Sequence, residues 1–153
     1  MRGIFGQISS KNINLKNLLA LARLSEQRGK GSSGLLFWDG DNYQVLRANQ
    51  GIIRIIEKLK LATPEIVLGF TATRPDNFDD DQPVVNEDVC LFQDGIVLND
   101  EEIWSKLLVQ GEHKINSEVI LAIVKESLSN GIGFEKIPEK IFDWCKGVIT
   151  CSL

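Results

Sequence analysis

Few side chains in this sequence could start or assist a reaction, and their types and spacing narrow the chemistry quickly. Three thiols are present, Cys90, Cys145 and Cys151, and one imidazole, His113. A nucleophilic thiol needs a neighbouring base or a lowered pKa. Cys90 falls in the apolar run Val89-Cys90-Leu91-Phe92, which predicts a buried, inert thiol. His113 lies in the polar stretch Gly111-Glu112-His113-Lys114 without a serine or cysteine partner, which predicts a surface histidine. No Cys-x-x-Cys pair accompanies it, so the residues offer no zinc site. Asp76, Asp79, Asp80 and Asp81 crowd one segment, but Phe78 breaks the alternation of a calcium loop, leaving an exposed acidic loop. Gly29-Lys30-Gly31-Ser32-Ser33 is glycine-rich like a phosphate loop yet lacks the Walker spacing. The second residue is Arg2, whose guanidinium stays protonated and has no lone pair with which to attack a carbonyl.

The opening Met1-Arg2-Gly3-Ile4-Phe5-Gly6 nonetheless resembles the Cys-Gly-Ile-Phe-Gly start of class II glutamine amidotransferases, with arginine in place of cysteine. Four further segments, in the family's order, carry the same resemblance. Arg28-Gly29-Lys30-Gly31-Ser32-Ser33-Gly34 is similar to the family's Arg-Gly-Pro/Lys-Asp-x-Ser-Gly loop. Gly69-Phe70-Thr71-Ala72, followed by Asp81-Gln82-Pro83, is similar to Gly-His-Thr/Ser-Arg and the downstream Asn-Gln-Pro. Gln93-Asp94-Gly95-Ile96-Val97-Leu98-Asn99 resembles His-Asn-Gly-Ile-Ile-x-Asn, and Asn116-Ser117-Glu118-Val119-Ile120 resembles Asp-Ser/Thr-Glu-Val-Ile.

The resemblance implies a fold and a chemistry. The fold is an α/β, N-terminal-nucleophile-type sandwich of four α-β-β-α layers with antiparallel sheets, taken over residues 1–153 and short at its C-terminal end. In the family's chemistry a terminal cysteine attacks the glutamine amide with its own amine as base. An asparagine side chain and a glycine N–H hold the oxyanion. An arginine binds the substrate carboxylate and an aspartate its ammonium. Carried over residue by residue, Arg2 stands at the nucleophile, Asp94 and Gly95 at the oxyanion hole, and Ala72, Pro75 and Asn116 at glutamine-binding positions. Of the catalytic set only Gly95 is retained. Arg28, Gly34, Gln82-Pro83, Asn99 and Glu118 match as well, as loop-shaping and scaffold residues. Arg2 should also keep Met1 in place, shifting the free amine by one residue. Arg74 lies two residues beyond Ala72, on a displaced stretch of backbone, and is expected to be a solvated loop arginine.

These residues need elements to position them. Gly3–Ile8 predicts a buried first strand. Leu15, Leu18, Leu19 and Ala22 recur at helical spacing behind a capping Asn14. Leu35–Trp38 and Tyr43–Arg47 flank Asp39-Gly40-Asp41-Asn42 as a hairpin. Ile52–Leu61 predicts a helix and Ile66–Thr71 a strand. Asp94-Gly95 between two apolar runs predicts a second hairpin. Glu101–Val109 and Ser117–Leu128 predict helices, and Gly147–Leu153 a last strand with an open edge that invites another chain. Trp38, Trp104 and Trp144 are expected as core or partly buried anchors.

Composition agrees with a folded domain. The 153 residues suffice for one core, with 43% hydrophobic and 25% charged content. The net charge of −4, without a basic cluster, argues against nucleic acid as a partner. No apolar run reaches the roughly 18 residues of a membrane span, and no signal-peptide h-region opens the chain, so a cytoplasmic protein is expected. An odd number of irregularly spaced cysteines makes no disulfide framework and suggests buried thiols. No metal or cofactor is expected. The substitutions predict a catalytically inactive family member that acts as a binding, regulatory or scaffold subunit. It would keep a remnant of the L-glutamine site and partner a synthetase, an amidotransferase or a second copy of itself. The alternatives are an active glutaminase feeding a synthetase, and a decaying or fragmentary homologue.

Overall fold

The computed structural model describes residues 2–38, 40–57, 59, 64–73, 82–86, 89–108 and 116–153. Arg74, Pro75, the acidic cluster Asp76 and Asp79 to Asp81, and His113 lie outside the described residues. Two compact units partition the chain, Met1–Pro83 and Val84–Leu153.

The first unit is an antiparallel sheet of four strands in the order β1-β4-β2-β3. Its strands are β1 (Arg2–Ile8), β2 (Ser32–Trp38), β3 (Tyr43–Ala48) and β4 (Ile66–Ala72). Helices α1 (Leu15–Glu26) and α2 (Ile52–Ile56) bury their apolar stripes on one face. Asn14 caps α1 as its position predicts, its side chain accepting from the Asn17 amide at 3.2 Å. Phe5, Leu35, Phe37 and Val67 meet Leu18, Ala22, Ile52, Ile55 and Ile56 in one core. Side chains of this kind contribute about 1.5–3 kcal/mol each when fully buried. The first hairpin forms as expected, with Leu36 paired to Val45 and Trp38 to Tyr43.

The second unit holds β5 (Val84–Asn86), β6 (Val89–Val97) and β7 (Gly147–Ser152) in that order, all antiparallel. Helices α3 (Asp100–Trp104), α4 (Asn116–Ser129) and α5 (Ile137–Trp144) supply the rest of its core. Val119, Ile120, Ile123 and Val124 of α4 pack with Leu91 and Val97 of β6.

The hairpin expected at Asp94-Gly95 does not form. β6 runs through both residues and pairs continuously with β7, from Phe92–Ser152 to Val97–Gly147. Gly95 does have the positive φ of a turn residue, +112°, but it serves a close approach instead. A Cβ there would stand 1.9 Å from the Val148 carbonyl oxygen. Residues 141–144 complete α5, which has Pro138 in its first turn. The three cysteines are half-buried, not buried. None of the described helices is long and apolar enough to cross a membrane.

Candidate functional site

One end of the first sheet gathers the residues matched to the nucleophile and to carboxylate binding. Arg2 opens β1 and is the direct cross-strand neighbour of Ala72, which ends β4. Ser32, at the start of β2, pairs with the same Ala72 from the other side. Paired residues of antiparallel strands project to the same face, so Arg2, Ala72 and Ser32 form a row across three strands. The next row, Gly3, Thr71 and Ser33, projects to the α1 face. A Cβ on Gly3 would lie 2.4 Å from Ser25 Oγ on α1. Arg2 therefore stands on the face opposite α1.

The glycine-rich loop after α1 locks this end. Thr71 donates its hydroxyl to the Ser25 carbonyl at 2.8 Å. That leaves the Ser25 hydroxyl to donate to Thr71 Oγ1, 2.7 Å away. The Gly31 amide donates to the Ala72 carbonyl at 2.8 Å. Gly29 is so close that a Cβ would meet the Thr73 nitrogen at 2.1 Å. Arg28 Nε donates to the Arg2 carbonyl. Gly34 presses against Gln82, where a Cβ would lie 1.9 Å from the carbonyl oxygen. Arg47 Nε reaches the Pro83 carbonyl at 2.9 Å. Through these contacts Arg28, Gly34 and Gln82-Pro83 shape the backbone at this end of the sheet.

In the second unit, Asp94 pairs with Thr150 and Gly95 with Ile149. Leu91 and Val97 point into the helical core, so Asp94, three residues from each and of opposite parity, projects to the other face. Ionised, it offers acceptors only. Asn116 begins α4 and accepts from the Val97 amide through its Oδ1. Its side chain thereby ties the helix start to the end of β6, and it carries no charge with which to hold an ammonium. Pro75, the remaining matched position, lies outside the described residues.

Sequence reasoning missed two features. The adjacency of Arg2 and Ala72 is a matter of strand pairing, with no local signal. Asn99, matched as a scaffold residue, is the centre of a clasp: its Nδ2 donates to the Trp144 carbonyl at 2.9 Å and its Oδ1 accepts from the Lys146 amide at 2.7 Å. Glu102 joins it through Lys106 at 2.6 Å and Lys146 at 3.3 Å. Hydrogen bonds from Lys106, then Asn99 and Lys146, lower the Glu102 carboxyl to about 2. A depressed carboxyl favours the folded state above its ordinary pKa of 4.5 and loses that contribution as pH falls towards 2. The group is fully exposed, so the stability effect is expected to be small. Glu102 should titrate near 2 by carboxyl-carbon NMR and move back up when Lys106 and Lys146 are replaced by alanine; a midpoint already near 4.5 in the unaltered protein would show the clasp is not formed.

No alternative nucleophile emerges from the described thiols. Burial, and then the nearby Cys151, push Cys145 up to about 11, and burial raises Cys151. Thiols shifted in that direction are poorly ionised near neutral pH. Cys90 pairs with Val85 in the β5–β6 ladder. Among the described residues no group of three or more His, Cys, Asp or Glu side chains could hold a metal ion.

Known proteins resemble this chain along nearly its whole length. No protein-family model matches. The glutamine–fructose-6-phosphate aminotransferase (isomerizing) of Wigglesworthia glossinidia brevipalpis is 30% identical over 163 residues, covering 98% of this chain and 26% of that protein. The enzyme of the same name from Bartonella quintana (strain Toulouse) is 28% identical over 140 residues, covering 86% and 23%. The chain thus spans about a quarter of the length of these curated relatives. Among solved structures, glutamine phosphoribosylpyrophosphate amidotransferase from B. subtilis, complexed with ADP and GMP, superposes with a TM-score of 0.68 at 17% identity. A structure described as the allosteric regulatory enzyme of purine biosynthesis gives 0.72 at 16% identity. Each covers 97% of this chain, which covers 34% of each. Likeness at such low identity establishes the fold, a mixed α/β N-terminal-nucleophile type with antiparallel sheets.

Proposed function

We propose that this chain is a class II glutamine amidotransferase-like domain that no longer hydrolyses glutamine and serves as a binding, scaffold or regulatory subunit. The observation that carries the proposal is Arg2 at the start of β1, with Ala72 as its cross-strand neighbour; Arg2 is here taken as the residue matched to the nucleophile. A protonated guanidinium has no lone pair to offer a carbonyl. Asp94 at the oxyanion position compounds the loss, because a carboxylate repels the charge that must develop. Asn116 takes the ammonium-binding position without a charge. Measurement of ammonia release from L-glutamine tests the proposal.

The partner we propose is a synthetase-type or amidotransferase chain, or a second copy of this one. The relatives named as aminotransferases carry the matching region within chains about four times as long, which supports a synthase-type partner. Strand β7 supports pairing as well. Among the described residues it bonds to β6 on one side only. Its residues Gly147–Ser152 include no charge and no proline, the usual guards of a sheet edge. Val148 is 73% exposed beside its cross-strand neighbour Ile96 at 51%. Light scattering at rising concentration is expected to report association; a monodisperse monomer throughout would sink the self-pairing form. Three cysteines outside any disulfide support a cytoplasmic setting.

A further inference from the structure

We propose that the second unit holds a binding site for a small zwitterionic amino acid, of glycine or alanine size, in a cavity between α4 and α5. None of the residues lining it is matched to the family's chemistry, so the site stands whether or not the domain hydrolyses glutamine. Its walls follow from helix periodicity. Ile123, Glu126, Ser127 and Asn130 recur at three- and four-residue spacing, one stripe along the last turns of α4 and just beyond it. Gly131, with a φ of +74°, then reverses the chain. Its amide donates to the Leu128 carbonyl at 2.9 Å and the Ile132 amide to the Ser127 carbonyl at 3.0 Å, which folds Ile132 back beside the stripe. Lys140 and Trp144, one turn apart, line the cavity from α5, and Leu107 from the end of α3. The enclosed volume is about 40 Å³. Pockets for drug-sized ligands run to roughly 300–1,000 Å³ and one water needs about 10–15 Å³, so only a ligand of a few heavy atoms fits.

Charge decides the ligand class. The Lys140 ammonium stands 4.4 Å from the centroid of the Trp144 ring, which holds it at the cavity. Glu126 accepts from the Leu108 amide through Oε2 at 2.9 Å. A carboxylate offers about four acceptor positions, so that bond leaves capacity for a ligand. Among the described residues no ion pair joins Glu126 to Lys140. A lone carboxylate would be drawn by Lys140 and repelled by Glu126, and a lone ammonium the reverse. A zwitterion satisfies both, with its carboxylate towards Lys140 and its ammonium towards Glu126. The Ser127 hydroxyl, on a residue only 3% exposed, and the Asn130 amide add neutral hydrogen-bonding groups. Leu107, Ile123 and Ile132 are apolar and suit a hydrogen or a methyl as the ligand's side chain, but no further charge.

The test is calorimetric titration of the 153-residue protein with glycine, L-alanine, acetate and methylammonium separately, repeated on Glu126→Gln and Lys140→Gln and on the controls Lys16→Gln and Glu139→Gln. Glu126→Gln keeps an acceptor for the Leu108 amide and removes the charge. Lys16 on α1 and Glu139 on α5 are exposed and do not line the cavity. Circular dichroism verifies that each variant is folded, and Lys140→Gln, at a half-buried position, carries the test alone if Glu126→Gln unfolds. Saturable binding of glycine or L-alanine is the expected result, with acetate and methylammonium about tenfold weaker or worse, as the loss of one charge-assisted hydrogen bond implies. Each cavity variant is expected to weaken amino-acid binding by about tenfold or more, for the same reason, and each control to leave it unchanged. No binding of either amino acid, acetate or methylammonium bound as tightly, or binding indifferent to the cavity variants would overturn the proposal.

Discussion

L-Glutamine incubated with the protein is expected to release no ammonia above solvent background, and Arg2→Cys by itself is expected to leave that unchanged. The argument is cumulative. The first loss is absolute, since arginine cannot form the covalent intermediate that divides amide hydrolysis into two easier steps. Cysteine at position 2 would still lack the asparagine donor that the family's chemistry uses, since Asp94 stands at the position matched to it. Removal of one oxyanion donor costs about 100- to 1000-fold in rate, and a carboxylate in that place adds repulsion to the missing hydrogen bond. Ala72 and Asn116 would still leave the substrate unanchored at both charged ends. Met1, if retained before Arg2, also displaces the amine that acts as base. The combined variant Arg2→Cys, Ala72→Arg, Asp94→Asn and Asn116→Asp is the one expected to regain measurable release. Saturable release by the unaltered protein would refute the reading and send mutagenesis first to Ser9, Ser10 and Cys90. Geometry already disfavours the two serines. They follow Ile8 at the far end of β1, roughly 20 Å along the strand from Arg2.

The second large effect concerns stability. Gly95 is the one residue that the resemblance matches unchanged to the family's catalytic set, and the structure gives it a structural role that does not involve catalysis. Its φ of +112° is a region that side-chain-bearing residues rarely adopt, and its missing Cβ makes room for the Val148 carbonyl 1.9 Å away. Gly95→Ala is expected to cost about 3 kcal/mol or more, the sum of about 1–3 kcal/mol of backbone strain and the displacement of a paired strand. Gly40→Ala is the matched control. Its φ is similar, +108°, but nothing lies within 4 Å of the added methyl, so strain alone should appear. Urea unfolding of both variants measures the difference. Equal losses at the two positions would show that the Val148 approach does not constrain the sheet. A Gly95→Ala protein too unstable to fold, beside a folded Gly40→Ala protein, would agree with the expectation.

Much of this molecule was legible from the chain alone, and the reason is locality. Asn14 as a helix cap, the apolar stripe Leu15–Ala22 and the hairpin around Gly40 are set by neighbours within a few residues, where periodicity and turn chemistry act. The five ordered segments pointed to a class II glutamine amidotransferase-like domain, and the types at Arg2, Asp94, Ala72 and Asn116 are those on which the proposed loss of hydrolysis rests. What the chain could not reveal is everything fixed by strands pairing across long separations. Asp94-Gly95 has the composition of a turn, yet β7 arrives some fifty residues later and holds both in a straight ladder, with Gly95 chosen for closeness and not for reversal. Asn99 shows no local sign of clasping Trp144 and Lys146. Arg2 and Ala72 stand seventy residues apart in sequence, and only the register of β1 on β4 makes them cross-strand neighbours. The sequence by itself determined which side chains can react. The tertiary structure decided which of them are neighbours, because backbone hydrogen bonding sets strand register through contacts that no short window of residues contains.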